Sequence, residues 1–190
     1  GAQIRSTASL GDLLLETEDG LIAVNSQVRS SNGSASVNAS GDVTMGATGQ
    51  VVVEGATTPG QTIDVLAGGS ILMTAGAALQ TNHGNHGNQR LQAGGSVQIG
   101  RIAAGMGSVS ILADTGSITR APAAIAANTE ITAGSLRLDA ATGIGSGVAE
   151  LRTNITTLAA EAGTGGVFLS EGNGLAIGSV SAVSINRIGP

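Results

Sequence analysis

The chain has 190 residues, with 31 glycines, a single aromatic residue, no cysteine and a formal net charge of −5. Only 11% of its residues are charged, against about 25% in an ordinary globular domain, so a conventional enzyme domain is a poor description. All 8 basic residues are arginines scattered singly along the chain, which argues against binding to nucleic acid or to an anionic membrane. Because 41% of the residues are hydrophobic, the chain is expected to fold.

The hydrophobic pattern predicts short β-strands with one buried face, because apolar residues recur at every second position. Helix signals are nearly missing. In chain order, the predicted inward-facing sets are Val37/Ala39, Val43/Met45, Val51/Val53, Ile63/Val65/Ala67, Ile71/Met73, Leu91/Ala93, Val97/Ile99, Val109/Ile111, Leu136/Leu138/Ala140, Val167/Leu169, Leu175/Ile177 and Val183/Ile185.

Three segments depart from this alternation. Residues 16–19 are predicted to form an acidic turn, and residues 82–89 a protruding polar loop. Residues 121–130 are rich in alanine, but Pro122 and Asn128 interrupt them, so a strand with a short loop is favoured over a helical turn.

One phrase, a glycine followed by Asp or Ser and then a strand, recurs along the chain. Copies begin at Gly41, Gly69, Gly95, Gly107, Gly116 and Gly134, with a looser copy at Gly11. We expect the glycine to supply a positive φ or a tight turn, and the Asp or Ser side chain to bond the local backbone. The uneven but recurring intervals between Gly41, Gly69, Gly95 and Gly116 indicate a degenerate repeat, and hence a solenoid.

A unit of two or three short strands, without helices or aromatic signatures, is typical of a parallel β-helix. The predicted fold is therefore an all-β parallel β-helix occupying residues 1–190 as a single domain. At about 20 residues per coil and about 4.8 Å per strand, it would contain roughly 9 coils and form a rod about 45 Å long. The chain begins at Gly1 rather than Met, so a fragment of a longer repetitive protein is expected.

Candidate chemistry is sparse. His83 and His86 share the polar loop, but zinc usually takes three or four protein ligands, so a solvated loop is favoured over a metal site. Glu16 and Glu18 are interpreted as a solvated acidic turn rather than a catalytic pair. Asn-x-Ser/Thr sequons occur at Asn32, Asn38 and Asn154, and glycosylation is not expected there. We assign no catalytic, cofactor-binding or metal-binding residue and expect no cofactor and no enzymatic activity.

Several of these phrases together resemble a known family. The Gly-Ser/Asp-Val/Ile-x-Ile/Met repeat, the paired Val/Leu-x-Ala-Gly-Gly strands at residues 65–71 and 91–97, and residues 163–169 followed by 174–178 look like the filamentous haemagglutinin type of large exported proteins of Gram-negative bacteria. The resemblance extends over nearly the whole chain. It implies a right-handed β-helical rod, secreted by a two-partner or autotransporter route. The Asn-rich signatures of that family's N-terminal secretion domain are not found, so the chain is interpreted as an interior shaft segment, and no functional residue is transferred.

The expected function is that of a structural and adhesive shaft of a secreted or cell-surface bacterial adhesin, attaching to host cells or within a biofilm. The implied partners are a host-cell or matrix receptor or glycan and an outer-membrane transporter during export, with end-to-end self-association and no nucleic acid. Two alternatives stay open: a carbohydrate-active β-helix, such as a polysaccharide lyase, a hydrolase or a tailspike fragment, and a non-adhesive surface scaffold. Phe168 is expected to stack or to cover an end of the rod.

Overall fold

A computed structural model of the chain describes residues 3–7, 11–55, 60–82, 87–122 and 129–189. These residues form short strands and no helix. In chain order, the strands of the first four coils are β1 (Ile4–Ser6), β2 (Leu13–Thr17), β3 (Ile22–Val24), β4 (Gln27–Ser30), β5 (Ala35–Ala39), β6 (Val43–Met45), β7 (Gln50–Glu54), β8 (Ile63–Ala67), β9 (Ile71–Met73), β10 (Ala78–Asn82), β11 (Gln89–Ala93) and β12 (Val97–Ile99). The later strands are β13 (Arg101–Ala103), β14 (Ser108–Ala113), β15 (Ile118–Arg120), β16 (Ile131–Thr132), β17 (Ser135–Ala140), β18 (Gly143–Ile144), β19 (Leu151–Asn154), β20 (Thr157–Ala162), β21 (Gly166–Val167), β22 (Leu169–Glu171) and β23 (Ala176–Ile177).

The strands form three parallel sheets, and every third strand along the chain belongs to the same sheet. Sheet A runs from β1 through every third strand to β22, sheet B from β2 to β23, and sheet C from β3 to β21. One strand from each sheet makes one coil, so β1, β2 and β3 form coil 1, and β22 and β23 belong to an incomplete coil 8. The predicted parallel β-solenoid without helices is confirmed.

The number of coils differs from the prediction. The chain makes about seven turns rather than nine, because the length of a coil varies: Leu151 already pairs with Leu169, whereas Ile102 pairs only with the more distant Ile131. Loops inserted at the corners account for the longer coils. In addition, the last described residues form no coil. At about 4.8 Å per strand, seven coils give a rod about 34 Å long.

The core is a set of aliphatic columns inside the coils. In parallel strands that pair in register, inward side chains stack directly on their counterparts one coil away. The central inward column of sheet B consists of Val37, Val65, Leu91, Ile111 and Leu138, and the column beside it of Ala39, Ala67, Ala93, Ala113 and Ala140. All of these residues are buried. Small side chains fill the narrow interior, which explains the shortage of aromatic residues.

The repeated glycine phrase sets this register through hydrogen bonds between successive coils, not through bonds within one turn. Gly95 N–H donates to the Gly69 carbonyl at 2.8 Å, and Gly69 N–H to the Gly41 carbonyl at 3.0 Å. The Asp42 carboxylate accepts from the N–H of Ser70, in the next coil, at 2.7 Å. The expectation of a local side-chain bond was therefore wrong at this corner, because stacked corners place the next coil's N–H closest.

The phrase glycines are required for a reason other than the expected positive φ, because none of them adopts a positive φ. A Cβ on Gly134 would lie 2.4 Å from the Met106 carbonyl oxygen of the preceding coil. Close stacking of corners, rather than a left-handed turn, therefore demands glycine here. The phrase also occupies two different corners: Gly107 and Gly134 precede strands of sheet B, whereas the other copies from Gly41 onward precede strands of sheet C.

The three segments predicted to depart from the strand pattern agree with the structure to different extents. Glu16 and Thr17 lie inside β2, so the acidic turn begins only at Glu18. Gln89, the last residue of the predicted polar loop, begins β11 and is buried inside the solenoid. Most of the predicted strand at 121–130 falls outside the described residues, and β16 begins just after it.

The last predicted strand, around Val183 and Ile185, does not form. Residues 178–189, which we name the C-terminal strap, have no regular secondary structure. Both ends of the solenoid expose apolar side chains, including Ile4 and Leu21 at the N-terminal end and Val167, Phe168, Leu175 and Ile177 at the C-terminal end. The position of Phe168 fits the expectation that it lies at an end of the rod, although the residue is 40% exposed.

Candidate functional site

The C-terminal strap runs back along the outer face of sheet B, across the strands. Ser179 and Val180 lie beside Arg137 of coil 6 and Ala159 of coil 7. The Asn88 side chain then donates to the Ser184 carbonyl at 2.9 Å, near the start of coil 4 in this sheet. The strap therefore returns from coil 8 toward the N-terminal end of the rod.

Its best-held part is residues 186–188. Asn186 N–H donates to Thr62 Oγ1 at 3.0 Å, and the Asn186 side chain donates to Ser34 Oγ at 3.2 Å. Ile188 N–H donates to Ser36 Oγ at 3.1 Å. We name the outward residues that receive the strap the strap seat; they are Ser34, Ser36, Thr62, Asp64 and Asn88.

Asp64 is the charged centre of the strap seat. Its side chain is only 2% exposed and accepts two hydrogen bonds from Arg90, at 2.9 and 2.8 Å, and one from Arg187 of the strap, at 2.7 Å. The bonds to Asp64 raise the pKa of the Arg90 guanidinium, against the lowering caused by burial. Arg90 therefore stays charged throughout the pH range of ordinary experiments, and the carboxylate is shared by two cations.

A second charged pair lies on sheet A. Glu130 is buried and accepts from the backbone N–H of Arg152 at 2.8 Å and from its guanidinium. Hydrogen bonding to Glu130 raises the pKa of Arg152, outweighing desolvation. A cleft beside this pair is lined by Arg120, Glu150 and Arg152. Arg120 Nε is buried there without a hydrogen-bond partner among the described residues.

A pair of carboxylates also lies on the outer face of sheet B. Asp139 in β17 and Glu161 in β20 are register neighbours, so their side chains project from adjacent strands. Together with Arg137 and strap residues Ser179 and Val180, they line a shallow groove. No motif in the sequence brought these two residues together. Alignment of 135–140 with 157–162 would have done so, but the second segment lacks the glycine phrase.

Many other carboxylates are committed to the scaffold. Asp12 accepts from Ser34 N–H at 2.7 Å, as Asp42 does from Ser70. Glu54 is paired with Arg29. Glu171 accepts from Thr153 Oγ1 at 2.6 Å and from the N–H of Gly172 at 2.9 Å.

Among the described residues, the candidates named from the sequence do not come together in one site. His83 and His86 lie outside those residues. Glu16 accepts from the Asn38 side chain at 2.7 Å, whereas Glu18 lies beyond the end of β2. No three His, Cys, Asp or Glu side chains in the described ranges lie close enough to hold a metal ion.

The three sequons lie in different settings. Asn32 is in the turn before β5, Asn38 is within β5, and Asn154 ends β19. The side-chain amide of Asn38 is engaged with Glu16, and Asn154 Oδ1 accepts from Asn173 at 2.6 Å. The expectation that they carry no glycan stays a prediction.

Comparisons of the chain with protein families, with curated proteins and with solved structures find no match. A helix of the length and hydrophobicity that would span a membrane is absent from the described part of the chain. The solenoid and the charged groups on its surface are therefore the features that bear on function.

Proposed function

We propose that the chain is a structural and adhesive shaft segment of a bacterial surface-exposed or secreted adhesin. The observation that carries this proposal is that the inner and outer faces of the coils have different roles. Aliphatic columns make a continuous core, while many carboxylates are used to join one coil to the next. Such a rod holds surfaces apart and offers a long lateral face for binding, which suits attachment better than turnover.

The finer features belong to the same proposal. We propose a right-handed solenoid, in keeping with the strong preference for right-handed crossovers between parallel strands. The partners would be a receptor or glycan on a host cell or matrix and an outer-membrane transporter of a Gram-negative bacterium, reached by a two-partner or autotransporter route. The repeated glycine phrases support this assignment.

The contact point we favour is the cleft at Arg120. Arg120 lines this cleft beside Arg152, and a guanidinium suits a carboxylate or sulfate group, because arginine binds such anions through paired N–H donors. Acidic glycans present these groups. The Arg120→Ala variant is therefore expected to weaken attachment, whereas Arg137→Ala, on sheet B, should leave it unchanged.

The test is an attachment assay with beads coated by the chain. Beads carrying the unaltered chain should adhere to host cells or to immobilised acidic glycans more than beads carrying Arg120→Ala. Equal adherence of both would remove the cleft from the proposal. Failure of the unaltered chain to adhere to cells, matrix or biofilm would favour a scaffold without adhesive function.

The Asp139/Glu161 pair favours one alternative, a carbohydrate-active β-helix. Retaining glycosidases use two carboxyl groups about 5–5.5 Å apart, and register neighbours on adjacent strands can approach that separation. Against this, both residues lie on an exposed face in a shallow groove. Incubation with acidic polysaccharides, followed by detection of new reducing ends or unsaturated products, tests the alternative; turnover lost in Asp139→Asn and Glu161→Gln would establish it.

A further inference from the structure

The C-terminal end of the solenoid is left uncovered although the chain possesses a segment that begins there. Ile177, the last strand residue, is 76% exposed, and Val167, Phe168 and Leu175 are exposed around it. The edges of β21, β22 and β23 have no further strand to pair with among the described residues. Edges of this kind are templates for pairing with another chain.

The strap makes its strongest contacts far from this end. It leaves β23 in coil 8, reverses direction, and reaches Asp64 in coil 3 through Arg187. Asp64 is thus separated from the start of the strap by five coil steps. A strap that did not reverse would continue past the end of its own rod.

We propose that two copies of the chain join through their C-terminal ends and exchange straps, so that each strap occupies the seat of the other copy. A two-fold axis along the normal to sheet B, at the level of β23, would reverse the second rod and keep its sheet B facing the same side. Each strap would then pass straight across the junction. The partner is a second copy, and the interface is closed and isologous.

The reach of the strap is sufficient for this exchange. From Ile177 to Arg187 the chain has ten residues, which span at most about 33–36 Å when extended. From coil 8 of one copy to coil 3 of the other there are six strand spacings, about 29 Å at 4.8 Å each. Arg187 can therefore bind Asp64 of the second copy without any change in the seat.

Exchange preserves the anchoring contacts and adds burial. The bonds of Asn186, Arg187 and Ile188 to the seat are the same in either arrangement, because both seats are identical. The exposed apolar side chains at the C-terminal end are then covered by their counterparts, which adds a favourable hydrophobic contribution. The exchanged dimer should therefore be favoured as the concentration rises.

Cysteine trapping tests the exchange directly, because the chain contains no cysteine. Ile188 N lies 3.1 Å from Ser36 Oγ, so cysteines at these positions are close enough to be joined. The variants Ser36→Cys and Ile188→Cys are mixed and oxidised. A disulfide between the two variants, increasing with concentration, is expected only if the strap of one copy lies on the seat of another.

A matched control uses Ser110→Cys in place of Ser36→Cys. Ser110 belongs to the same outward column of sheet B, three coils from Ser36. It should form much less of the mixed disulfide with Ile188→Cys. Equal trapping at both positions, or no mixed disulfide at any concentration, would overturn the proposal.

A second measurement locates the junction. Ile177→Asp introduces a charge at the C-terminal end without altering a buried position, and we expect it to weaken dimerisation about tenfold or more in sedimentation equilibrium. Leu21→Asp, at the N-terminal end where Leu21 is 59% exposed, should leave the dimer intact. The reverse order of effects, or a strictly monomeric unaltered chain, would contradict the proposed arrangement.

Discussion

The two faces of sheet B are built from alternate residues of the same strands, yet they follow different rules. Along the inner face, Val37, Val65 and Leu91 stack with aliphatic neighbours in every coil, whereas the outward residues beside them are Ser36, Asp64 and Arg90. The inner column is held to one chemistry by close packing in a narrow interior. The outer face is free to differ from coil to coil, and the strap seat and the Asp139/Glu161 pair both lie on it.

The largest effect should come from the inner face. Leu91→Ala removes a fully buried side chain from the middle of the column, and we expect the free energy of unfolding to fall by about 3 kcal/mol. Leu112→Ala, which truncates a partly exposed leucine on the outer face of the same sheet, should cost about 1 kcal/mol or less. Urea denaturation of both variants measures the difference. Equal losses would mean that the inner face is not packed more tightly than the outer one.

A second effect should arise where the coils approach most closely. Gly94→Ala places a methyl group against the Gly68 carbonyl, and we expect a loss of about 2 kcal/mol because the neighbouring backbone must move. Gly174→Ala is the matched control, since a Cβ there would meet no atom within 4 Å. Thermal unfolding measures the effect: Tm should fall for Gly94→Ala and stay unchanged for Gly174→Ala. A neutral Gly94→Ala would show that the corners can separate without cost.

The repeated glycine phrase shows how far the sequence could predict the fold. The phrase intervals predicted the stacking of Gly41, Gly69 and Gly95 correctly, because a corner that repeats in sequence repeats in space. They could not predict the number of coils, since loop lengths at the other corners leave no trace in the phrase. Nor could the intervals distinguish the corner before sheet B from the corner before sheet C, because a glycine of the same phrase stands at both.

Polar exceptions were harder to predict. The polar segment 82–89 predicts a loop that includes Gln89, yet the Gln89 side chain donates to the Ala103 carbonyl at 2.9 Å inside the solenoid. The strap has the sequence pattern of a strand because Val183 and Ile185 alternate with polar residues. Its contacts to Thr62 and Asp64 join positions far apart in the chain, and no local pattern encodes such contacts. The candidate sites depend on contacts of this kind.

The strap seat provides an outer-face position that should behave partly like the core. Asp64→Ala removes a buried carboxylate that accepts from both Arg90 and Arg187, and we expect a loss of about 1–2 kcal/mol because both arginines keep some contact with water. Asp114→Ala, at an exposed carboxylate, serves as the control and should change stability by less than about 0.5 kcal/mol. Chemical denaturation of the two variants provides the comparison; a neutral Asp64→Ala would indicate that the strap is not held by this carboxylate.

The smallest effect is expected where the outer face is open to water. Arg137 and Asp139 approach to 4.0 Å, with side chains 47% and 38% exposed. Exposed pairs gain little, because water screens the attraction and both side chains lose freedom. A double-mutant cycle with Arg137→Ala and Asp139→Ala should therefore give a coupling free energy of about 0.5 kcal/mol or less. The Arg152–Glu130 cycle should give a clearly larger value, since Glu130 is buried and accepts several hydrogen bonds from Arg152. Equal coupling in the two cycles would show that burial does not set the strength of an ion pair in this solenoid. Buried pairs would then stabilise the coils no more than the pairs exposed on the surface.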